Sequence, residues 1–187
     1  LITGMKSMDI GSGDDVVVQS MVHSADPNSI AATGANPVFA EIDEKTLCLA
    51  TETIDKAKTD RTKAVLYVSL YGNTSDLDSV SEYCNQNGLI LINDCAPALF
   101  GMYKNRPIAS YGDFSTLSFF ADKTITTGEG GSVFSNDNKI DNFIKMYRNH
   151  GIERNEKLKS KQGLWLYKMN HLGYNYRITD FQCALGI

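Results

Sequence analysis

The chain has 187 residues, of which 42% are hydrophobic and 21% are charged, and its formal net charge is −4. This composition is typical of an ordinary globular domain, and it argues against a disordered segment or a strongly basic nucleic-acid-binding protein. The sequence contains no apolar run long enough to cross a membrane, and no signal peptide begins it. We therefore expect one sizeable cytoplasmic domain with no nucleic-acid or membrane partner.

The four cysteines, Cys48, Cys84, Cys95 and Cys183, are widely spaced and include no C-x-x-C pair. We interpret them as reduced thiols, because a disulfide framework or a zinc site has closer or patterned spacing. The three histidines are not at metal-ligand spacing either. The sequence therefore predicts no metal site.

Predicted strands and helices alternate along the first part of the chain. In chain order, the predicted elements are a helix at 1–6, a strand at 16–19, a helix at 27–33, a strand at 37–42 and a helix at 51–59. The helix at 27–33 has a start signal, because Asp26 can cap it and Pro27 suits its first position.

The second part of the chain continues this alternation. It comprises strands at 63–69, 89–93, 115–119 and 132–135 and helices at 77–87, 137–149 and 177–187. The strands at 63–69 and 89–93 are continuously apolar, as buried parallel strands are. The connections between strands are about a dozen residues or longer, which favours an α/β layered, mostly parallel sheet. In such sheets ligands bind at the carboxyl ends of the strands.

Two ionisable residues follow predicted strands at that edge. Asp94 comes directly after the strand at 89–93, and Lys123 follows the strand at 115–119. Burying a lysine is costly, so a lysine at the end of a buried strand is a candidate for Schiff-base chemistry. Each residue has a simpler interpretation, since Lys123 could be a surface residue before a turn and Asp94 could cap the next turn. Together they suit pyridoxal phosphate (PLP), which needs a lysine for its aldehyde and a carboxylate beside its pyridine nitrogen.

Two neighbouring features are less specific. Ser118 could donate a hydrogen bond to a phosphate, although serines are common in strands. The glycine-rich turn at 128–131 could be a plain tight turn, and it has the spacing of neither a Walker loop nor a dinucleotide fingerprint.

The segment around Lys123, A-D-K-T-I-T-T-G-E-G-G, resembles the Schiff-base segment of the DegT/DnrJ/EryC1/StrS family of PLP-dependent sugar aminotransferases. Other segments resemble motifs of this family and occur in the family's order. They are 10–16 (I-G-S-G-D-D-V), 34–43 (G-A-N-P-V-F-A-E-I-D), 70–78 (L-Y-G-N-T-S-D-L-D), 93–96 (N-D-C-A), 148–151 (R-N-H-G) and 173–182 (G-Y-N-Y-R-I-T-D-F-Q). The resemblance runs from residue 1 to residue 187.

The resemblance implies a three-layer fold type I large domain, with a mostly parallel mixed sheet flanked by helices, in a homodimer with shared active sites. It implies that Lys123 holds PLP as a Schiff base and then moves a proton between cofactor and substrate carbons. Asp94 would pair with the pyridine nitrogen, and Ser118 would bind the phosphate. Asn175 would reach the phosphate in the partner's site, and Arg177 would help to shape the substrate site there.

Three positions depart from the family pattern. His23 occupies the position of the aromatic ring that usually stacks on the cofactor. Pro97 stands where the family often has Gln or His, so a side-chain contact would be lost. Phe120 stands where the family often has His. We expect these changes to affect how the substrate is recognised and not which cofactor is bound.

The resemblance implies a transaminase that moves an amino group from an amino acid, with glutamate as the expected donor, to a nucleotide-linked keto-sugar for surface polysaccharide or glycan biosynthesis. Residues 163–167, leading into 171–177, resemble enzymes that aminate nucleotide-linked 4-keto-6-deoxy sugars. A sugar dehydratase on the same scaffold is a second possibility, although such relatives tend to have histidine in place of the lysine. A non-catalytic regulatory protein of the same fold is a third.

The resemblance also gives an expectation about domain organisation. Residues 1–187 would form a partial PLP-binding large domain. The family's Ser-Gly-Thr phosphate loop would lie before Leu1, and its small C-terminal domain would lie after Ile187.

Overall fold

The computed structural model describes residues 1–74, 76–153 and 167–187. Its main sheet contains six strands in the order β2-β1-β3-β4-β7-β8, and a separate two-stranded hairpin contains β5 and β6. The strands are β1 (Asp15–Gln19), β2 (Asn36–Ala40), β3 (Thr62–Val68), β4 (Ile90–Asp94), β5 (Met102–Tyr103), β6 (Arg106–Pro107), β7 (Phe114–Ser118) and β8 (Gly131–Phe134).

Helices cover both faces of this sheet. Within the described residues they are α1 (Ile2–Ser7), α2 (Ala25–Thr33), α3 (Thr51–Ala57), α4 (Leu77–Gln86), α5 (Asn138–Tyr147) and α6 (Asp180–Leu185). Short 3₁₀ turns lie at Leu70–Gly72 and Ile108–Ser110.

Strands β1, β2, β3, β4 and β7 are parallel, whereas β8 pairs antiparallel with β7. The predicted mostly parallel, mixed α/β sheet is therefore confirmed. The carboxyl ends of the five parallel strands lie at one edge of the sheet, and the segments that follow β4 and β7 both begin there.

The central strands are buried on both faces because their alternate side chains enter two separate cores. Val17 of β1 packs in one core with Ile54 of α3 and Val80 of α4. Val16 of β1 packs in the other core with Ile30 of α2. This arrangement explains why the parallel strands are continuously apolar in the sequence.

Two predicted helix starts were wrong. Helix α2 begins at Ala25 after Ser24, so Asp26 lies inside its first turn and is buried instead of capping it. Helix α6 begins at Asp180, because the Thr179 side chain accepts a hydrogen bond from the Gln182 amide and stops the helix from extending further back. Arg177 is therefore outside the helix.

Asp137 caps α5, because its side chain accepts a hydrogen bond from the Lys139 amide at 2.7 Å. The β5–β6 hairpin was not predicted, because each of its strands has only two residues. The motif at 163–167 lies outside the described residues except for Tyr167.

In the described part of the chain, no helix is both long and apolar enough to cross a membrane. The four cysteines are free thiols, as predicted. Cys48, Cys84 and Cys95 are buried, and Cys183 is exposed.

Candidate active site

Polar side chains meet where β4 and β7 end. Asp94 is the last residue of β4, and it is in register with Thr116 of β7. Ser118, the last residue of β7, lies two residues further along the same strand and therefore on the same face as Thr116. The predicted carboxylate and the predicted phosphate-binding hydroxyl thus lie at the same edge of the sheet.

The carboxylate of Asp94 is buried and is held by one of its two oxygens. Its Oδ1 accepts hydrogen bonds from the Thr116 hydroxyl at 2.6 Å and from the Ala96 amide at 3.2 Å. No backbone amide or hydroxyl of the described residues donates to Oδ2, and the side chain of Asp26 lies beside this carboxylate. Asp94 is therefore fixed in orientation and retains an oxygen that can accept a proton donor from a ligand.

Lys123 lies in a loop of residues 119–130, which we call the lysine loop. The loop is closed by backbone bonds, because the Phe119 amide donates to the Gly130 carbonyl at 2.9 Å and the Thr127 amide donates to the Phe119 carbonyl at 3.0 Å. The Thr127 hydroxyl donates to the Glu129 carbonyl at 2.7 Å. These bonds fix the ends of the loop directly after β7.

The Lys123 side chain is partly buried, with 27% of its surface exposed. Its ammonium lies 3.4 Å from Asp122, whose side chain is 67% exposed. An ion pair with such an exposed partner is weak because water screens it. The amine of Lys123 is therefore available to a ligand at the carboxyl edge.

Ser118 and His23 can also face a ligand at this edge. The Ser118 hydroxyl accepts a hydrogen bond from the Phe120 amide at 3.2 Å, and its own hydrogen remains available to donate. His23 follows β1 and is exposed, and its Nδ1 accepts a hydrogen bond from the Ala25 amide at 3.1 Å. That bond fixes the orientation of the imidazole ring after the strand end.

Asn175 and Arg177 are held elsewhere, against the end of α5. Asn175 forms an antiparallel bridge with Asn149, and the guanidinium of Arg177 donates to the Asn149 side chain at 2.7 Å. The Tyr176 amide donates to the Arg148 carbonyl at 3.0 Å. The structure therefore joins the segment at 148–151 to the segment at 173–177, which holds Asn175 through its backbone and Arg177 through its guanidinium.

Two glycines make this joint possible. Gly151 has a φ of +68°, and a Cβ there would collide with the His171 carbonyl. A Cβ on Gly173 would collide with the Gly151 amide nitrogen. The two segments can approach this closely only because both positions lack a side chain.

Sequence reasoning missed two residues at the carboxyl edge. Thr116 gave no signal, because a threonine in a strand has no distinctive pattern, yet its hydroxyl fixes Asp94. Asp26 was interpreted as a helix cap because Pro27 follows it. In the structure Asp26 is 2% exposed and lies close to Asp94, and its Oδ1 has no hydrogen-bond partner among the described residues.

The electrostatics of Asp26 differ from those of a surface carboxylate. Burial is the main cause that raises the pKa of Asp26, and the negative charge of Asp94 adds to it, giving a pKa of about 8. Burial, followed by the charge of Asp94, also raises the pKa of the Cys95 thiol to about 12. Cys95 is therefore a neutral neighbour of the site and not a nucleophile. The described residues contain no cluster of side chains suited to a metal ion.

The comparisons with known proteins agree on one family. The model of the DegT/DnrJ/EryC1/StrS aminotransferase family matches residues 1–187. The chain is 37% identical over 188 residues to the spore coat polysaccharide biosynthesis protein SpsC of Bacillus subtilis, covering 100% of this chain and 48% of that protein. It is 35% identical over 181 residues to GDP-perosamine synthase of Escherichia coli O157:H7, covering 97% and 47%.

A solved structure extends the comparison to the fold. The X-ray structure of an aminotransferase from Psychrobacter cryohalolentis superimposes with a TM-score of 0.93 at 33% identity, covering 99% of this chain and 47% of that one. The chain spans about half the length of the curated relatives described above.

Proposed function

Because this chain belongs to the DegT/DnrJ/EryC1/StrS aminotransferase family, we propose that it forms the cofactor-binding edge of a PLP-dependent transaminase. The amino group would come from an amino acid, with glutamate as the first candidate, and would go to a nucleotide-linked keto-sugar. The observation that supports this proposal is the set of groups at the ends of β4 and β7. A fixed carboxylate with a free oxygen, a hydroxyl and a partly buried amine lie at one sheet edge.

These groups fit the chemical parts of PLP. Asp94 would hold the proton of the ring nitrogen on its unused Oδ2, since Thr116 and Ala96 already occupy Oδ1. Ser118 would donate its hydroxyl hydrogen to the phosphate, and Lys123 would bond to the aldehyde carbon. His23 would pack against the ring, with a smaller contact area than Trp or Phe offers.

When bound, PLP supplies a ring that accepts electrons from the substrate carbon next to the transferred nitrogen. The protein's part is to place groups around that carbon. Lys123 would accept a proton at Nζ and return it to a neighbouring carbon, which is general acid–base work. The Thr116 hydroxyl and the Ala96 amide would hold the Asp94 carboxylate in a fixed orientation against the ring nitrogen.

The substrate proposal rests on the relatives. One similar protein is named for GDP-perosamine synthesis and another for spore coat polysaccharide biosynthesis. We infer a nucleotide-linked keto-sugar as acceptor and a surface polysaccharide as the destination of the product.

We also propose a cytoplasmic homodimer with shared sites. Asn175 would serve the phosphate in the partner's site, and Arg177 would help to shape the substrate pocket there. Support comes from the joint with α5, which holds both residues away from the lysine of their own chain while leaving them exposed. In this proposal the chain is part of one cofactor-binding large domain.

The test is an amination assay with the full-length protein, PLP, glutamate and a set of nucleotide-linked 4-keto-6-deoxy sugars. We expect a product that gains an amino group by mass spectrometry, with 2-oxoglutarate formed in equal amount. Lys123→Ala should lower the rate by about 10³-fold or more, because it removes both the covalent anchor and the proton carrier. Lys145→Ala is the matched control, since Lys145 pairs with Asp141 on the exposed face of α5.

Two results would contradict the proposal. A product that loses water without gaining nitrogen would identify a sugar dehydratase. Binding of the nucleotide sugar with no turnover of any acceptor would indicate a regulatory protein of the same fold.

A further inference from the structure

The carboxyl group of Asp26 is buried without the partners that such a group normally has. It lies in the first turn of α2 and is only 2% exposed. Its Oδ1 accepts no hydrogen bond from any described residue. Because an ionised carboxylate in such a place is costly, the position favours either a proton on Asp26 or a ligand that supplies positive charge.

The group that faces Asp26 is the carboxylate of Asp94. Each of these aspartates is nine-tenths buried or more, and their side chains lie close enough to interact. Two ionised carboxylates cannot hydrogen bond to each other, because neither has a hydrogen to donate. A hydrogen bond between them therefore requires one proton in the pair, as in other pairs of close carboxyl groups.

The retained proton is assigned to Asp26 by the surroundings of the two groups. Asp94 acts as an acceptor, because its Oδ1 receives hydrogen bonds from the Thr116 hydroxyl and the Ala96 amide. Asp26 has no such donor at Oδ1, and burial together with Asp94 raises its pKa to about 8.

We propose that Asp26 is a positioning residue that shares one proton with Asp94 and so controls how strongly Asp94 holds the ring nitrogen of the cofactor. The inference rests on the proposed PLP function. With its proton, Asp26 donates to Asp94 and weakens the attraction of Asp94 for the ring-nitrogen proton. Without its proton, Asp26 adds a second negative charge beside that nitrogen and strengthens cofactor binding.

The first measurement needs no cofactor. The stability of the cofactor-free protein is followed by thermal unfolding from pH 4 to pH 9 for the wild type and Asp26→Asn. Folding takes up a proton on Asp26 between its unfolded pKa near 4 and its folded pKa near 8, so wild-type stability should fall across that range. Asp26→Asn should remove this component, and an unchanged pH dependence would overturn the shared proton.

The second measurement is the PLP dissociation constant of both proteins from pH 6 to pH 9, read from the visible absorbance of the bound cofactor. The asparagine variant keeps a neutral hydrogen-bond donor beside Asp94 at every pH. The ratio of the variant's dissociation constant to that of the wild type should therefore rise with pH. We expect a rise of up to about tenfold, which corresponds to one pKa unit of coupling.

One control separates this effect from general changes. Asp141→Asn removes an exposed carboxylate on α5 and should leave the ratio flat. A ratio that stays constant with pH while both proteins bind PLP would overturn the role of Asp26. If the wild type binds no PLP at all, the proposed function fails, and the cofactor-free titration still decides whether the proton is shared.

Discussion

Buried aspartates at the two edges of the main sheet have opposite hydrogen-bonding environments. At the amino edge, Asp15 begins β1 and is 1% exposed. Its oxygens accept hydrogen bonds from Thr59 at 2.6 Å, from Asn36 at 3.2 Å and from Arg61 at 3.1 and 3.2 Å. At the carboxyl edge, Asp26 is equally buried, but its Oδ1 accepts nothing from the described residues.

This difference separates a structural site from a ligand site. The hydroxyl of Thr59, followed by the donors on Asn36 and Arg61, lowers the pKa of Asp15 against the opposing effect of burial. Burial and a neighbouring carboxylate raise the pKa of Asp26. Asp15 has its hydrogen-bonding capacity filled by the protein, whereas Asp26 and Asp94 keep capacity that only a ligand or a proton can fill.

The largest expected effect concerns Asp94. Asp94→Asn should lower amino transfer by about 10²- to 10³-fold, because a neutral amide cannot hold the positive charge of the ring nitrogen. The thermal midpoint should change little, since the amide oxygen can still accept from Thr116 and Ala96. Steady-state rates and a melting curve on the same sample measure both effects. A large loss of stability with normal activity per folded molecule would make Asp94 a structural residue like Asp15.

The next expected effect concerns Asp15, at the amino edge of the sheet. Asp15→Ala should lower the free energy of unfolding by about 2 kcal/mol, because it removes the hydrogen bonds that a buried carboxylate accepts from Thr59, Asn36 and Arg61. Denaturant unfolding measures this loss, and activity per folded molecule should be unchanged. Asp55→Ala is the control, since that exposed carboxylate on α3 should have little effect. If Asp15→Ala lowers the rate constant of the folded enzyme, the amino edge is not purely structural.

The pH dependence of stability should differ in sign between the edges. Because the pKa of Asp15 is lowered, its contribution is present above its unfolded pKa and is lost as the pH falls below that value. Because the pKa of Asp26 is raised, Asp26→Asn should be more stable than the wild type by several kcal/mol at pH 8, and the gain should vanish near pH 4. Thermal unfolding of Asp15→Asn and Asp26→Asn across pH gives both trends. Parallel trends would remove the distinction between the two aspartates.

The smallest effect concerns Thr116. Thr116→Val removes the 2.6 Å hydrogen bond to Asp94 and leaves the bond from the Ala96 amide. We expect cofactor binding to weaken by about 1 kcal/mol, the usual value of one hydrogen bond. Thr116→Ser should restore the affinity because it restores the hydroxyl. An affinity that is equal in all three proteins would show that Asp94 needs no orientation from β7.

The fold was largely predictable because parallel strands have a strong sequence signal. The strand at 89–93 was predicted one residue early, and the observed strand is Ile90–Asp94. Its apolar side chains enter both cores, and this pattern is visible without any tertiary information. Helix starts were less predictable. Asp26 followed by Pro27 has the local sequence pattern of a helix cap, but α2 begins at Ala25 and Asp26 is buried in its first turn.

The residues that would carry the chemistry could be predicted from the sequence. The residues that surround them and fix their orientation could not. Asp94 and Lys123 are recognisable because charged residues at or shortly after the ends of buried strands are unusual. Thr116 and Asp26 were missed because their roles depend on neighbours in space, 22 residues away in the case of Thr116. The roles of Asn175 and Arg177 remain predictions, since they concern a partner chain.

The central claim is that Lys123 is the residue that bonds to PLP. The most direct test is to treat the full-length protein with PLP and borohydride and then to map the reduced adduct by peptide mass spectrometry. We predict a single pyridoxyl group on the peptide that contains Lys123 and none in Lys123→Ala. An adduct on another lysine, or one that persists in Lys123→Ala, would contradict the claim.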